Sequence, residues 1–136
     1  MHVLAVITAR GGSTTLPRKN ILPFCGKPMI AYSIEAALNA GRAGAPIDRV
    51  IVSTDDAEIA DVSRKFGADV PFMRPPELAK SDTPSLPVVQ HAIAFAEQER
   101  ALTYDWILLL QPTSPLRTED DILAALGLIT EPGTTA

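Results

Sequence analysis

Cysteine is almost absent from this sequence of 136 residues, and Cys25 is the one example. A single cysteine excludes an internal disulfide bond and is typical of proteins in the reducing cytoplasm. Long apolar runs are absent as well. The first run, "HVLAVIT" at 2–8, is too short to span a membrane and lacks the basic lead and cleavage site of a signal peptide. We therefore expect a cytoplasmic protein that does not enter a membrane.

Acidic residues are missing from the first quarter of the chain, since the first of them is Glu35. The same region holds four cations: Arg10, Arg18, Lys19 and Lys27. Residues 1–34 therefore carry +4, and the remainder carries −8 within a net charge of −4. The acidic total argues against nucleic-acid binding, which usually leaves a basic footprint. The local excess of cations predicts a site for a small, highly charged anion.

Strand-like and helix-like segments alternate along the chain. Three short apolar runs are typical of buried strands: 2–8, 48–56 ("DRVIVSTDD") and 105–111 ("DWILLLQ"). Helical patterns occupy 26–41, with Pro28 near the start and Gly41 as the stop, then 57–67, 88–101 and 118–129. "VPFM" at 70–73 is a short strand or an extended piece, and a polar, proline-rich loop follows it at 74–87.

This β-α-β-α-β-α alternation predicts a single α/β domain over residues 1–136, with a doubly wound, mainly parallel sheet and helices on both faces. Ligands of such sheets bind at the carboxyl ends of the strands. The segments at those ends are "TARGGSTTLPRKN" (8–20), "STDD" (53–56) and "QPTSPLR" (111–117).

The first of these segments has the composition of a phosphate-binding loop. Gly11 and Gly12 allow the backbone to approach a ligand and turn N–H groups toward it. Hydroxyl and cationic side chains surround them: Arg10, Ser13, Thr14, Thr15, Arg18 and Lys19. The segment matches neither the Walker pattern nor G-x-G-x-x-G. The alternative is a solvated turn with surface cations.

The segment "ARGGSTTLPRKN" resembles the "ARGGSKGxPxKN" opening of the acylneuraminate cytidylyltransferases, the CMP-sialic acid synthetases and their relatives. The similarity continues in order through "GKPMIAYSIEAAL", "IVSTDDAEIADV", "GADVPFMRPPELA", "DTPSLPVVQHAI" and "LLLQPTSPLR". It implies a Rossmann-like nucleotidyltransferase that transfers CMP from CTP to a nonulosonic, sialic-type acid and releases pyrophosphate. It also implies a magnesium cofactor and a homodimer.

The resemblance assigns roles to the matching positions. Arg10, Ser13 and Lys19 would hold the triphosphate beside the backbone of Gly11 and Gly12, and Arg10 and Lys19 would be catalytic. The cytosine and ribose would be lined by four further residues: Asn20, Arg74, Ser85 and Gln111.

Three of these four residues have a structural alternative to a role in binding. Gln111 ends a buried strand, where a polar side chain favours the binding role. Asn20 could close a turn, Arg74 could be a loop cation, and Ser85 could cap the following helix. Asp55 and Asp56 are better explained as a helix cap than as metal ligands, so no metal ligand is predicted in this chain.

Two departures from the family pattern affect the expected activity. Thr14 stands where the family has lysine, and Thr15 where it has glycine. Loss of a charged hydrogen bond to phosphate, worth roughly 1.5–3 kcal/mol, would weaken triphosphate binding by about one to two decades. The metal-holding aspartates and the dimer element of the family lie in a later segment. We therefore expect a nucleotide-binding domain that is truncated relative to the family.

Three other functions compete with the enzyme. A module that binds CTP without turnover fits Thr14 and the expected lack of metal ligands. A related nucleotidyltransferase could use another base or acid sugar: "PFCGKPMIAYSI" resembles the pseudaminic acid branch, and "LLLQPTSPLR" resembles the sialic and legionaminic branches. A phospho-accepting receiver needs acidic residues after the first strand and an aspartate after the third. "TARGG" and "QPTS" at those places exclude it.

Overall fold

The structure is a computed structural model, and it describes residues 2–11, 21–24, 26–80, 85–100 and 103–110. The strands are β1 (Val3–Thr8), β2 (Pro23–Phe24), β3 (Lys27–Pro28), β4 (Ile47–Ser53) and β5 (Trp106–Leu110). The helices are α1 (Met29–Arg42), α2 (Ala57–Lys65) and α3 (Ser85–Arg100), and a 3-10 turn covers Pro76–Leu78.

Strand β1 lies at the centre of a parallel three-stranded sheet of order β4-β1-β5. The chain passes from β1 through α1 to β4, and then returns through α2 and α3 to β5 on the other side of β1. The strand order therefore reverses between β1 and β5. In open α/β sheets, ligands bind in the crevice at the carboxyl ends of the strands beside such a reversal.

The side chains of β1 alternate between two apolar layers. Val3, Ala5 and Ile7 pack with α1, α2 and the face of β4 that carries Val50 and Val52. On the opposite face, Leu4 and Val6 pack against Ala92 and Ala96 of α3. Helices cover both faces, so the predicted doubly wound sheet is confirmed, and the continuous apolar character of 2–8 follows from burial on both sides.

The predicted end of the first helix is wrong. Helix α1 continues through Gly41 to Arg42, and the residue with positive φ is Gly44, at 108°. The Gly44 N–H donates to the Gly41 carbonyl (3.2 Å) and the Ala45 N–H to the Ala40 carbonyl (3.1 Å), which is a Schellman motif. Helix α2 ends at Lys65, and the predicted glycine stop, Gly67, follows with φ 101° and closes the same motif.

Two local features differ from the sequence-based expectations. Strands β2 and β3 form a small antiparallel hairpin that the pattern did not indicate, and its last residue, Pro28, is the N-cap of α1. Helix α3 begins at Ser85, three residues earlier than expected, and its first turn tolerates Pro87 because N–H groups there have no helical partner. Residues 70–73 are not a strand, which leaves the second of the two alternatives for them, and the isolated bridge to Ile51 is made by Asp69. The predicted helix at 118–129 lies outside the described residues.

Arg49 of β4 is a buried cation whose side chain is 4% exposed. Its Nε and Nη2 atoms lie 2.6 Å from Asp69 Oδ2, and Nη2 also lies 2.9 Å from Glu99 Oε1. The guanidinium thus ties the segment after α2 and the end of α3 to the sheet.

None of the helices in the described ranges is long and apolar enough to cross a membrane.

Candidate active site

The carboxyl ends of β1 and β4 lie side by side and stay connected past the last strand residues. The Ala9 N–H donates to the Ser53 carbonyl at 3.0 Å, one step beyond the pairing of Thr8 with Ser53. The Gly11 N–H donates to the carboxylate of Asp55, with N and Oδ1 2.9 Å apart. The segment that begins with Arg10 is therefore anchored at the edge where the topology places a ligand.

Gly11 is buried and has no room for a side chain. A Cβ at this position would lie 2.7 Å from both Cβ and Oδ2 of Asp56, well inside van der Waals contact. The backbone of Gly11 thus closely approaches Asp56, in the turn after β4. Its N–H donates to Asp55, and contact between Gly11 and a ligand stays a prediction.

Asp56 is the N-cap of α2. Its Oδ1 atom accepts hydrogen bonds from the N–H groups of Glu58 (2.9 Å) and Ile59 (3.1 Å). The prediction that one of the two aspartates caps this helix is confirmed, and Asp56 is the one that does so. Within the described ranges, no group of three or more histidine, cysteine or acidic residues is arranged to hold a metal ion.

Arg74 reaches the same edge from the loop after α2. It is 6% exposed, and its Nε and Nη2 atoms donate to Oγ and the carbonyl of Ser53, at 3.1 and 2.6 Å. Its Nη1 atom lies 3.4 Å from the Leu78 carbonyl, and its own N–H donates to the Thr54 carbonyl at 2.7 Å. Arg74 is therefore a buried cation that anchors its loop to the end of β4.

Burial and two neighbouring charges affect the pKa of Arg74. Burial lowers the pKa of Arg74, because desolvation disfavours its charged form. The negative charge of Asp55 raises that pKa, and the positive charge of Arg10 lowers it. Arg74 nevertheless stays protonated, as arginines in proteins do. The charges of Arg10, Arg74 and Asp55 thus lie near one another at this corner.

The structure brings together Arg10, Gly11 and Arg74 among the residues that the sequence selected. The helix α3 begins at Ser85, and nothing is described of that side chain. The other predicted positions lie outside the described residues: Gly12, Ser13, Lys19, Asn20 and Gln111. Sequence reasoning did not select Ser53 and Asp55 as site residues, although "STDD" was placed at this edge.

A cavity of about 400 Å³ lies elsewhere, between the end of α1, the start of β4 and the turn at Gly67. Three arginines line it together with Asp48 and Asp69: Arg42, Arg49 and Arg100. None of its lining residues belongs to the corner formed by Arg10, Gly11 and Arg74. The candidate site is therefore identified from the sheet topology and the charged residues, and not from this cavity.

Comparison with known proteins identifies the family of this chain. The model of a family described as cytidylyltransferases matches residues 4–134, and these include both strand ends of the site. The chain belongs to the cytidylyltransferase family. The family resemblance that the motifs indicated is therefore confirmed.

Individual relatives are similar over most of this chain. A pseudaminic acid cytidylyltransferase of Campylobacter jejuni is 45% identical over 120 residues, which are 88% of this chain and 50% of the relative. A CMP-N,N'-diacetyllegionaminic acid synthase of Legionella pneumophila is 42% identical over 128 residues, 94% of this chain and 53% of the relative. The chain thus spans about half the length of these curated cytidylyltransferases.

The solved structures agree with the fold of this family. The chain is similar to a CMP:2-keto-3-deoxy-manno-octonic acid synthetase complexed with CTP, with a TM-score of 0.74 and 25% identity over 98% of this chain and 49% of that one. A cytidylyltransferase from Leptospira borgpetersenii has a TM-score of 0.62 at 22% identity, which supports the fold alone. The expected Rossmann-like nucleotidyltransferase fold is confirmed.

Proposed function

We propose that this protein is a CTP-dependent cytidylyltransferase that transfers CMP to a nonulosonic acid sugar. The observation that carries the proposal is the position of Arg10 and Gly11, which follow β1 at the strand-order reversal. They open the segment that resembles the family signature. The names of the relatives, which are pseudaminic, legionaminic and N-acylneuraminic acid enzymes, support the sugar class.

In the proposed reaction, the anomeric hydroxyl oxygen of the sugar attacks the α-phosphorus of CTP. A new P–O bond forms to the sugar, the bond to the β-phosphate oxygen breaks, and pyrophosphate leaves with the electron pair. The hydroxyl proton passes to solvent or to a nearby base. Such a transfer depends on positioning and on cations near the developing charge. Arg10 and Lys19 would supply those cations, and the anchored Gly11 would fix where the loop begins.

Arg74 is proposed to border the nucleotide pocket. Its guanidinium has five N–H groups, and the protein bonds described above engage three of them. Among the described residues no acceptor is recorded for the other two, and we propose that they face a ligand next to Arg10, whose charge acts on Arg74. Asn20, Ser85 and Gln111 complete the proposed pocket for cytosine and ribose.

Magnesium enters the proposal through the family resemblance. The described residues do not fit it, because no group of three potential ligands occurs among them. The two aspartates at the edge also have other roles, since Asp55 accepts the Gly11 N–H and Asp56 caps α2. No step is therefore assigned to the metal here.

A homodimer is proposed on the resemblance alone, and a cytoplasmic location on the single cysteine.

A CTP-binding module without turnover is the second candidate. Thr14 stands where the family has lysine, which removes one cation from the proposed triphosphate site. The same corner of Arg10, Gly11 and Arg74 would serve this function equally well.

A turnover assay tests the proposal. We expect the protein, supplied with CTP, magnesium and one of three acids (pseudaminic, N,N'-diacetyllegionaminic or N-acetylneuraminic acid), to release pyrophosphate and form the CMP-sugar. The Lys19→Ala variant should be slower by about a hundredfold, as when one charge-stabilising donor is removed from an active site. CTP binding without product from any of the three acids would favour the binding module.

A further inference from the structure

Asp55 replaces a backbone carbonyl in the hydrogen-bond ladder between β1 and β4. In a parallel pair, N–H groups two residues apart on one strand bond to carbonyls two residues apart on the other. The Ala9 N–H donates to the Ser53 carbonyl, so the Gly11 N–H would next meet the carbonyl of residue 55. It donates instead to the side-chain Oδ1 of Asp55, at 2.9 Å.

The side chain of Asp55 takes the place of its backbone carbonyl because the chain turns at this point. At residues 55–56 the chain turns to begin α2, with Asp56 as its N-cap. The Asp56 N–H also donates to Oγ1 of the buried Thr54 at 3.2 Å, which fixes this turn. The backbone of β4 therefore leaves the ladder one step before β1 does, and Asp55 supplies the missing acceptor.

We propose that Asp55 is a positioning residue of the nucleotide site, whose carboxylate completes the β1–β4 ladder and thereby fixes the position of Gly11. The part that concerns CTP rests on the proposed function. Gly11 is held on both sides, since Asp55 accepts its N–H and Asp56 lies in the space of an absent side chain. A displacement of Gly11 would move the neighbouring Arg10.

Charge gives Asp55 a second effect on the same corner. Arg10 and Arg74 are like charges that act on each other, and Asp55 opposes that repulsion. An asparagine at position 55 would keep an acceptor oxygen for Gly11 and lose the charge. An alanine would lose both, so the two variants separate the contributions of the hydrogen bond and the charge.

A different role for Asp55 predicts the opposite change in CTP affinity when its carboxylate is removed. If its carboxylate only stood in for a phosphate at the Gly11 N–H, removing it would free that donor, and CTP would bind more tightly to the alanine variant. The positioning role predicts weaker binding. The sign of the change therefore distinguishes the two.

The test compares Asp55→Ala and Asp55→Asn with wild-type protein and with Asp61→Ala. Asp61 is a matched control because its side chain is 79% exposed on α2, and its described ion pair is a 3.5 Å contact with Arg64. The first readout is hydrogen exchange of the Gly11 amide by NMR without nucleotide. The second is the dissociation constant of CTP by calorimetry, and thermal melting checks that each variant is folded.

We expect Gly11 exchange to be at least about tenfold faster in Asp55→Ala, and CTP to bind about tenfold more weakly, as for loss of one charge-assisted hydrogen bond. Asp55→Asn should restore the Gly11 protection, and Asp61→Ala should match wild type. Unchanged Gly11 exchange, or tighter CTP binding, in Asp55→Ala would overturn the proposal. If wild-type protein binds no CTP, the proposed function fails, and the Gly11 exchange alone decides the role of Asp55.

Discussion

Replacement of Gly11 by alanine is expected to lower the free energy of unfolding by about 1–3 kcal/mol, as overpacking of a closely packed site does. The new Cβ would lie 2.7 Å from Cβ and Oδ2 of Asp56. Asp56 cannot withdraw easily, because its carboxylate caps α2 through Glu58 and Ile59. Gly11 must shift instead, which stretches its hydrogen bond to Asp55. Urea denaturation of both proteins measures the difference.

The same variant should weaken CTP binding by at least about tenfold, because the shift moves the start of the proposed phosphate-binding segment. Gly41→Ala is the matched control. Gly41 lies inside α1, and the nearest atoms to a new Cβ, both of Ile47, are 3.8 Å away. That exchange should stabilise the protein by about 0.5–1 kcal/mol, as glycine to alanine does inside helices. Equal stability changes in the two variants would contradict the packing at Gly11.

Replacement of Arg74 by alanine should cost about 2–3 kcal/mol of unfolding free energy, within the range for hydrogen bonds to a charged group. The change removes the donors to both oxygens of Ser53 and leaves these buried acceptors without them. It also releases the loop at Leu78, whose carbonyl accepts from the same guanidinium. Thermal or urea denaturation measures the loss.

CTP affinity of Arg74→Ala should fall by about a hundredfold, through lost loop position and lost contact with the nucleotide. Arg74→Lys keeps the charge without the planar fork, so it should recover only part of the affinity. Arg42→Ala removes the same charge from an exposed position bonded to Asn39, and it should change stability by less than about 0.5 kcal/mol. Full affinity in Arg74→Ala would place this residue outside the site.

The layering of the fold was predictable because burial on both faces leaves a continuous apolar strand. The run at 2–8 became β1, which packs against α1 and α2 on one side and α3 on the other. The end of α1 was not predictable from local pattern. Gly41 and Gly44 are both plausible helix stops, and the Schellman bonds with positive φ at Gly44 decide between them.

The sequence predicted which segments form the candidate site, but only part of the contacts between their residues. Arg10, Gly11 and Arg74 were selected from strand ends and from the family resemblance. The bond between Gly11 and Asp55 joins residues 44 positions apart and depends on the sheet register, which no local pattern contains. The hairpin of β2 and β3 was missed because two-residue strands are too short to show alternation.

Calorimetric titration with CTP and then with UTP, each with magnesium, tests the central claim that the carboxyl edge of this sheet is a cytidine nucleotide site. The account predicts that CTP binds and that UTP binds at least about tenfold more weakly, because a pocket that pairs with cytosine leaves its polar groups unmatched by uracil. Equal binding of the two nucleotides, or binding of neither, would contradict it.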